Sequence, residues 1–454
     1  MTVNGNVALA SGSTSLFELS PTVSDKLVVN GSVSIASGAT LQLVELGTLR
    51  PGTSYDLIVA SGGVTGSFST ILKPASLFGV VVQRSSGIQL LGQFVTPASS
   101  SVQVAGSIAY ANATILVQPA TSAYLNALPA LLTSAGASNP QAFAQLTPEP
   151  YATATQIGVD NGLTLAEAAR GPSFAASGDA PHAYTFAATL GQWHRLGADA
   201  SAGTSAAHAH GYGFLGGVGF GAARWSVGAF GGYLNTRQTI DALGARTKAD
   251  GAVAGVQGRF ESGKGFGFDA AIVYDGGKAT TTRALPGGSA SGRYGLHSWI
   301  GDMSAHYAVS LAGGWALTPR AGFTYVRTTR NGVAESGGSA FALTVARDRH
   351  DASFVDGAIG FGRADASTAA FRPYVSLGVR YQVDGADVDA LAGYAGGGFG
   401  LRASGAARTD VVGTLSGGAS YRLPNGLDLF ATAAAQRGGD DHRESVSGGV
   451  RLRF

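Results

Sequence analysis

The 454-residue chain contains no cysteine. That excludes a disulfide framework, a zinc ribbon and a thiol nucleophile. Charge is also scarce. Charged residues make up 13% of the chain and the formal net charge is only +2, so nothing global points to nucleic acid. Long apolar runs are missing too. No uninterrupted stretch reaches the ~18 residues that a spanning helix needs, although hydrophobic residues make up 45%. The start, MTVNGNVALASGSTSLFEL, lacks a basic segment followed by a long apolar one, so no secretory signal is visible. Such a start fits either a cytosolic chain or a piece of a longer exported protein. What is abundant is glycine, 69 residues without a collagen-like period, in a chain too apolar to be disordered.

Three stretches differ in pattern. Residues 1–96 read as brief alternating strands, as in DKLVVNGSVSIASGATLQLVEL, with Asn30-Gly31 and Ser37-Gly38 as turn signals. Their spacing fits stacked coils of a β-solenoid or a small sandwich. Residues 97–182 are rich in Ala, Ser and Thr and read as a linker with short helical pieces. Near its end, TPEPYATATQIGVDNGLTLAEAARGP predicts a helix over about 148–170. Thr147 is expected to cap it, Pro148 takes the first helical position, and Gly171-Pro172 stops it. At ~1.5 Å per residue this helix is ~34 Å long, close to the ~30 Å of a bilayer core. It carries Gln156, Asp160, Asn161 and Glu167 and cannot face lipid, so it crosses a membrane only inside something else.

From 183 to 454 the pattern is long alternating strands. In FRPYVSLGVRYQV, Val375, Leu377 and Val379 share one face, and Arg372 and Arg380 the other. Arg422 and Arg451 fall on the polar face of their own strands. Twelve strands are expected, at about 183–196, 207–222, 223–240, 246–262, 265–280, 292–309, 314–329, 349–363, 370–384, 407–422, 427–437 and 442–454. They exceed the usual ~5–6 residues and fit an outer-membrane barrel, apolar toward lipid and polar toward the lumen. Connections after even-numbered strands read as short, including LPNG at 423–426, and most after odd-numbered strands as longer. That asymmetry is the one expected of bacterial barrels. The last strand must close on the first, with terminal Phe454 in an aromatic girdle.

Motifs for chemistry fail their context. Gly211, Gly213 and Gly216 match GxGxxG but lie within a strand rather than between a strand and a helix. His208 and His210 share a strand face but lack a third ligand. No metal, cofactor or enzymatic activity is expected. Asp160 and Glu167 are natural partners for the lumenal arginines.

A β-rich stretch, a polar helix and a twelve-stranded barrel together resemble the C-terminal part of a type Va autotransporter. SDKLVVNGSVSIASGATLQL followed by GTSYDLIVASGGVTGSF is similar to the family's autochaperone region at the passenger end, and QLTPEPYATA to the start of its pore helix. The Phe454 terminus is similar to the signal read by the barrel-assembly machinery. The resemblance implies a barrel in the bacterial outer membrane, with residues 1–96 a passenger remnant at the cell surface. Its implied partners are outer-membrane lipids and lipopolysaccharide, the assembly machinery, periplasmic chaperones and its own passenger, with the barrel a monomer. The pore helix would carry small residues at Ala152, Ala154, Gly158, Ala166 and Ala168. Some family members cut themselves between two asparagines in the pore. Here the comparable pair is Asp160-Asn161, which makes Asp160 and Asn161 the self-cleavage candidates. The short passenger implies a truncated C-terminal fragment or a trimmed gene product. Other readings are a surface adhesin anchored by the barrel and a porin, which would need neither the helix nor the N-terminal third.

Overall fold

The computed structural model describes residues 1–47, 49, 53–74, 76–119, 122–134, 136–174, 180–363, 369–395, 397–424 and 426–454. Its C-terminal part is a closed barrel of 12 antiparallel strands. They are His182–Leu196, Ala207–Ala222, Trp225–Ile240, Ala245–Glu261, Phe266–Leu285, Gly288–Tyr307, Trp315–Arg330, Asp348–Arg363, Phe371–Asp384, Val411–Arg422, Leu427–Gly438 and Asp441–Arg453. The last pairs with the first, from Tyr184 opposite Arg453 to Arg195 opposite His442. Closure leaves no strand edge to be desolvated.

Alternation decides which side chains face out. Along the ninth strand Val375, Leu377, Val379 and Val383 are exposed while Arg372 and Arg380 are buried. Exposed aromatics gather at two levels. Phe220, Trp225, Phe266, Phe371 and Tyr421 lie toward the end where the chain enters the first strand, and Trp193, Tyr212, Trp299 and Tyr381 toward the other. An apolar band between two aromatic girdles is what a bilayer selects.

The connections differ from expectation. At the end where the first strand begins they are short, such as 223–224 and 262–265. In the LPNG turn, Asn425 lies outside the described residues. At the opposite end, residues 197–206, 331–347 and 385–410 are long, but 241–244, 286–287 and 439–440 are tight turns. The fifth and sixth strands run on to Leu285 and Gly288, not to 280 and from 292. Pro286-Gly287, with Gly287 at φ 75°, supplies the proline and the left-handed position of a tight turn, so the hairpin zips up beyond the barrel.

Residues 97–148 are more ordered than a linker. Ser101 caps a helix at Val102–Val117 by accepting from the Val104 N–H, and Asn139 caps another at Pro140–Leu146. The expected cap of the central helix is displaced by one residue. Thr147 ends the preceding helix, its hydroxyl donating back to the Ala144 carbonyl at 2.8 Å. Pro148 takes the cap position of Glu149–Arg170 without a side-chain bond.

Residues 1–72 wind as stacked coils. Paired residues recur 26 positions apart between the first two: Thr2 with Val28, Val7 with Val33, Thr14 with Thr40, all parallel. A third coil adds Tyr55–Ala60, Val64–Gly66 and Thr70–Leu72. Leu19, Val33, Leu41 and Ile58 fill the interior. Asn30-Gly31 is thus a coil corner rather than a hairpin turn. An added Cβ on Gly31 would stand 2.3 Å from the Gly5 carbonyl oxygen, so successive corners stack only with glycine. An antiparallel hairpin, Val80–Arg84 with Gly87–Leu91, ends the stack. Phe94 then packs on Phe143 at 4.7 Å, joining this unit to the helices over the barrel mouth.

Candidate functional site

The central helix, Glu149–Arg170, fills the barrel lumen, and nearly every residue from Glu149 to Ala166 is buried. Its sequence divides around the axis. Val159, Leu163 and Leu165 pack on Leu215, Phe230, Val273, Ile300 and Val326 of the wall. On the same side Gly158 and Gly162 bring the backbone close to the sixth and seventh strands. A Cβ at Gly158 would lie 2.5 Å from Ser298 Oγ and Thr328 Cγ2, and one at Gly162 2.9 Å from the Val326 methyls. Gly162 adds to the small residues expected. Ala152, Ala154 and Ala166 are buried, and Ala168 partly so.

The polar side is bonded over its whole length. Near the mouth, Gln156 Nε2 donates to the Ala386 and Ala406 carbonyls at 3.4 and 3.3 Å, and the Ala406 N–H to Thr153 Oγ1 at 3.2 Å. These partners belong to the connection 385–410, which folds back into the lumen along the helix. Arg408, at its end, donates to Gln156 Oε1 at 2.8 Å and pairs with Asp160. The other Asp160 oxygen meets His194 Nδ1 at 2.9 Å, and His194 Nε2 meets Asp441 at 2.8 Å. Asn161 Nδ2 donates to Asp275 at 2.8 Å, and its oxygen accepts from Gln192 at 2.7 Å and Thr236 at 2.9 Å. About two turns on, Glu167 accepts from Arg443 and Gln436, each at 2.7 Å, and from Ser445 at 3.1 Å. Arg170 forks onto Asp302 with two bonds of 2.7 Å and reaches Asp356 at 2.9 Å. Every charge of the lumenal helix after its first turn thus has an opposite charge in contact, the condition for tolerating burial.

A third set of bonds fixes the mouth. Tyr151 donates to Glu335 at 2.7 Å, and Arg283 forks onto the same carboxylate at 2.7 and 2.8 Å. Burial pushes the Glu335 carboxyl up, but the Arg283 bonds and charge outweigh it and hold it below the usual range. Connections 331–347 and 385–410 build a four-stranded sheet there. It packs with the helices of residues 102–146 through Ile108, Tyr124, Phe143, Phe341 and Tyr394. At the other end the lumen opens beyond Arg170 into a cavity of about 910 Å³, with Arg259, Asp269, His306, Arg320 and Arg372 among its walls.

The predicted residues fall as follows. Arg372, Arg380 and Arg451 are buried in the lumen and Arg422 is partly so. Among the described residues none of them forms an ion pair with Asp160 or Glu167. Arg451 and Arg422 both turn to Asp428, the latter at 3.4 Å, and Arg380 lies over Phe354 at 5.2 Å. Arg408 and Arg443 take that role instead. Arg443 was readable, since it continues the inward parity of Ser445, Ser447 and Arg451; Arg408 sits in a loop with no periodic signal. Glycines 211, 213 and 216 lie in the second strand, as do the exposed His208 and His210. Phe454 is exposed, and its N–H donates to the Ala183 carbonyl at 3.1 Å.

The profile of the autotransporter β-domain matches residues 185–434. The translocator domain of the autotransporter NalP from Neisseria meningitidis is 14% identical and superposes on 67% of this chain and 98% of its own, with a TM-score of 0.54. At that identity the likeness speaks to fold alone. The transport unit of AIDA-I from Escherichia coli also aligns, at 15% identity over 68% of this chain and 99% of that one, TM-score 0.48. So does the β-domain of the Bordetella autotransporter BrkA, at 17% over 60% and 99%, TM-score 0.43. No curated protein matches the chain.

Proposed function

The chain belongs to the autotransporter β-domain family, and we propose that it inserts into the outer membrane through the barrel-assembly machinery and anchors residues 1–96 at the cell surface. The observation that carries this reading is the course of the chain through the barrel. Arg170 lies at the end where the first strand begins and where the connections are short; Glu149 lies at the mouth with the long ones. With the short turns in the periplasm, everything before the helix is outside. The helix then serves as tether and plug.

The last strand, ending in Phe454, is the assembly signal, and periplasmic chaperones hold the chain before insertion. The barrel works as a monomer, since closure leaves no strand edge for a second copy. The helix stays uncut: both ends of the Asn161 amide are committed to Asp275, Gln192 and Thr236, and attack on its own carbonyl would break all three bonds.

The test uses intact cells expressing the chain behind a bacterial signal peptide. Boiled and unboiled protein should migrate differently, and external protease should remove residues 1–96 while sparing the barrel. Identical migration together with complete digestion would reject the reading.

A further inference from the structure

On one side of the barrel, near its mouth, outward-facing cations line up across strands. In one row His210, Arg237, Lys248, Thr280 and Arg293 are direct neighbours from the second strand to the sixth. In the next row toward the mouth are Arg195, His208, Thr239 and Arg246. Lys278 adds a further cation beside the first row, opposite Asp250. All six arginines and lysines are exposed. Like charges directly opposite on an antiparallel pair repel, yet Arg237 and Lys248 stand directly opposite each other. Among the described residues no ion pair engages Arg195, Arg237, Arg246, Lys248 or Arg293. Elsewhere on the outer wall two arginines are matched, Arg327 with Asp351 at 2.6 Å and Arg437 with Glu444 at 3.2 Å.

The height of these rows identifies what they face. Arg195 follows the exposed Trp193 by two positions, His210 precedes Tyr212 by two, and Arg293 precedes Trp299 by six. At ~3.3 Å per residue these positions lie roughly 7–20 Å along their strands beyond the aromatic girdle, and that girdle sits at headgroup level. The row from His210 to Arg293 crosses five strands, roughly 19 Å at ~4.8 Å per step. That is too wide for one phosphodiester. Arginine forks match phosphate oxygens.

We propose that this face binds a glycolipid of the outer leaflet carrying more than one phosphate, the phosphates lying across Arg237, Lys248 and their neighbours. The proposal rests on the outer-membrane reading above.

Calorimetry on the refolded full chain in detergent tests it, with bisphosphorylated lipid A, its dephosphorylated form, phosphatidylglycerol and inorganic phosphate as titrants. Bisphosphorylated lipid A should bind, and more weakly as salt rises. The Arg237→Gln/Lys248→Gln pair should lose roughly 25-fold, about fivefold per cation. Arg195→Gln/Arg246→Gln should lose a similar factor independently. Arg349→Gln, exposed on the eighth strand, should change nothing. Equal affinity of wild type and both pairs overturns the proposal. So does equal binding of the dephosphorylated lipid, or binding of inorganic phosphate or phosphatidylglycerol alone. Heat-dependent gel mobility is checked on every sample. Its absence in the wild type would count against the barrel reading itself, whereas its presence with no lipid preference counts against this site only.

Discussion

Replacing Gly158 measures how closely the helix is fitted to the barrel wall. A Cβ there would stand 2.5 Å from Ser298 Oγ and Thr328 Cγ2 and 2.6 Å from Thr328 Oγ1. The two hydroxyls are buried and bonded to each other at 3.0 Å, so neither can turn away without losing its partner. Alanine gains about 1 kcal/mol of helix propensity over glycine. Overpacking a fitted contact costs about 1–3 kcal/mol. Gly158→Ala should therefore be destabilising by about 0–2 kcal/mol, and Gly158→Leu by more. Gly106 is the control. It is exposed in the helix Val102–Val117, and nothing lies within 4 Å of its added Cβ, so Gly106→Ala should stabilise by about 1 kcal/mol. Thr328→Ala removes two of the three crowding atoms and should restore much of what Gly158→Ala loses. The assay is urea unfolding followed by the gel-mobility difference between folded and unfolded barrel. Equal effects at Gly106 and Gly158, or no rescue by Thr328→Ala, would refute a close helix–wall contact.

Three further outcomes follow from the bonds described. Asp160→Ala strands Arg408 and His194 in a buried site and should cost about 3–5 kcal/mol; adding Arg408→Ala should recover part of it, read by the same urea transition. Glu335 has a folded pKa below its ordinary 4.5, so its contribution is present above that value and is lost as pH falls through the lower folded one. Protease access to residues 97–148 should rise in acid, and Glu335→Gln should already show the higher access at neutral pH and lose the dependence. Deleting Phe454 should reduce surface-exposed barrel several-fold in cells; normal surface levels would sink the assembly-signal role.

Much of the barrel was legible because period-two alternation is a local signal. FRPYVSLGVRYQV declares both of its faces without any neighbour. The polar helix was legible for a related reason: its stop at Gly171-Pro172 and its length are local, and its polarity forbids lipid. The seating of the helix was not. Arg408 reaches Asp160 from a loop that re-enters the lumen, and loops carry no periodicity from which to read direction. His194 and Asp441 come from strands that meet only on closure. In the N-terminal third, Val3-Asn4-Gly5 and Val29-Asn30-Gly31 are the same corner one coil apart. A dipeptide such as Asn30-Gly31 serves a hairpin and a coil corner equally well, and only the pairing partner separates the two.

The absence of native cysteine makes the topology directly measurable. Val23→Cys places a thiol on the exposed N-terminal coils, and Lys264→Cys one in the short turn between the fourth and fifth strands. Each is exported behind a signal peptide and treated on intact cells with a membrane-impermeant maleimide. If the helix tethers an external N-terminal unit to an inserted barrel, position 23 labels at once and position 264 only after the outer membrane is permeabilised. Labelling at both positions, or at 264 alone, in intact cells would contradict the account.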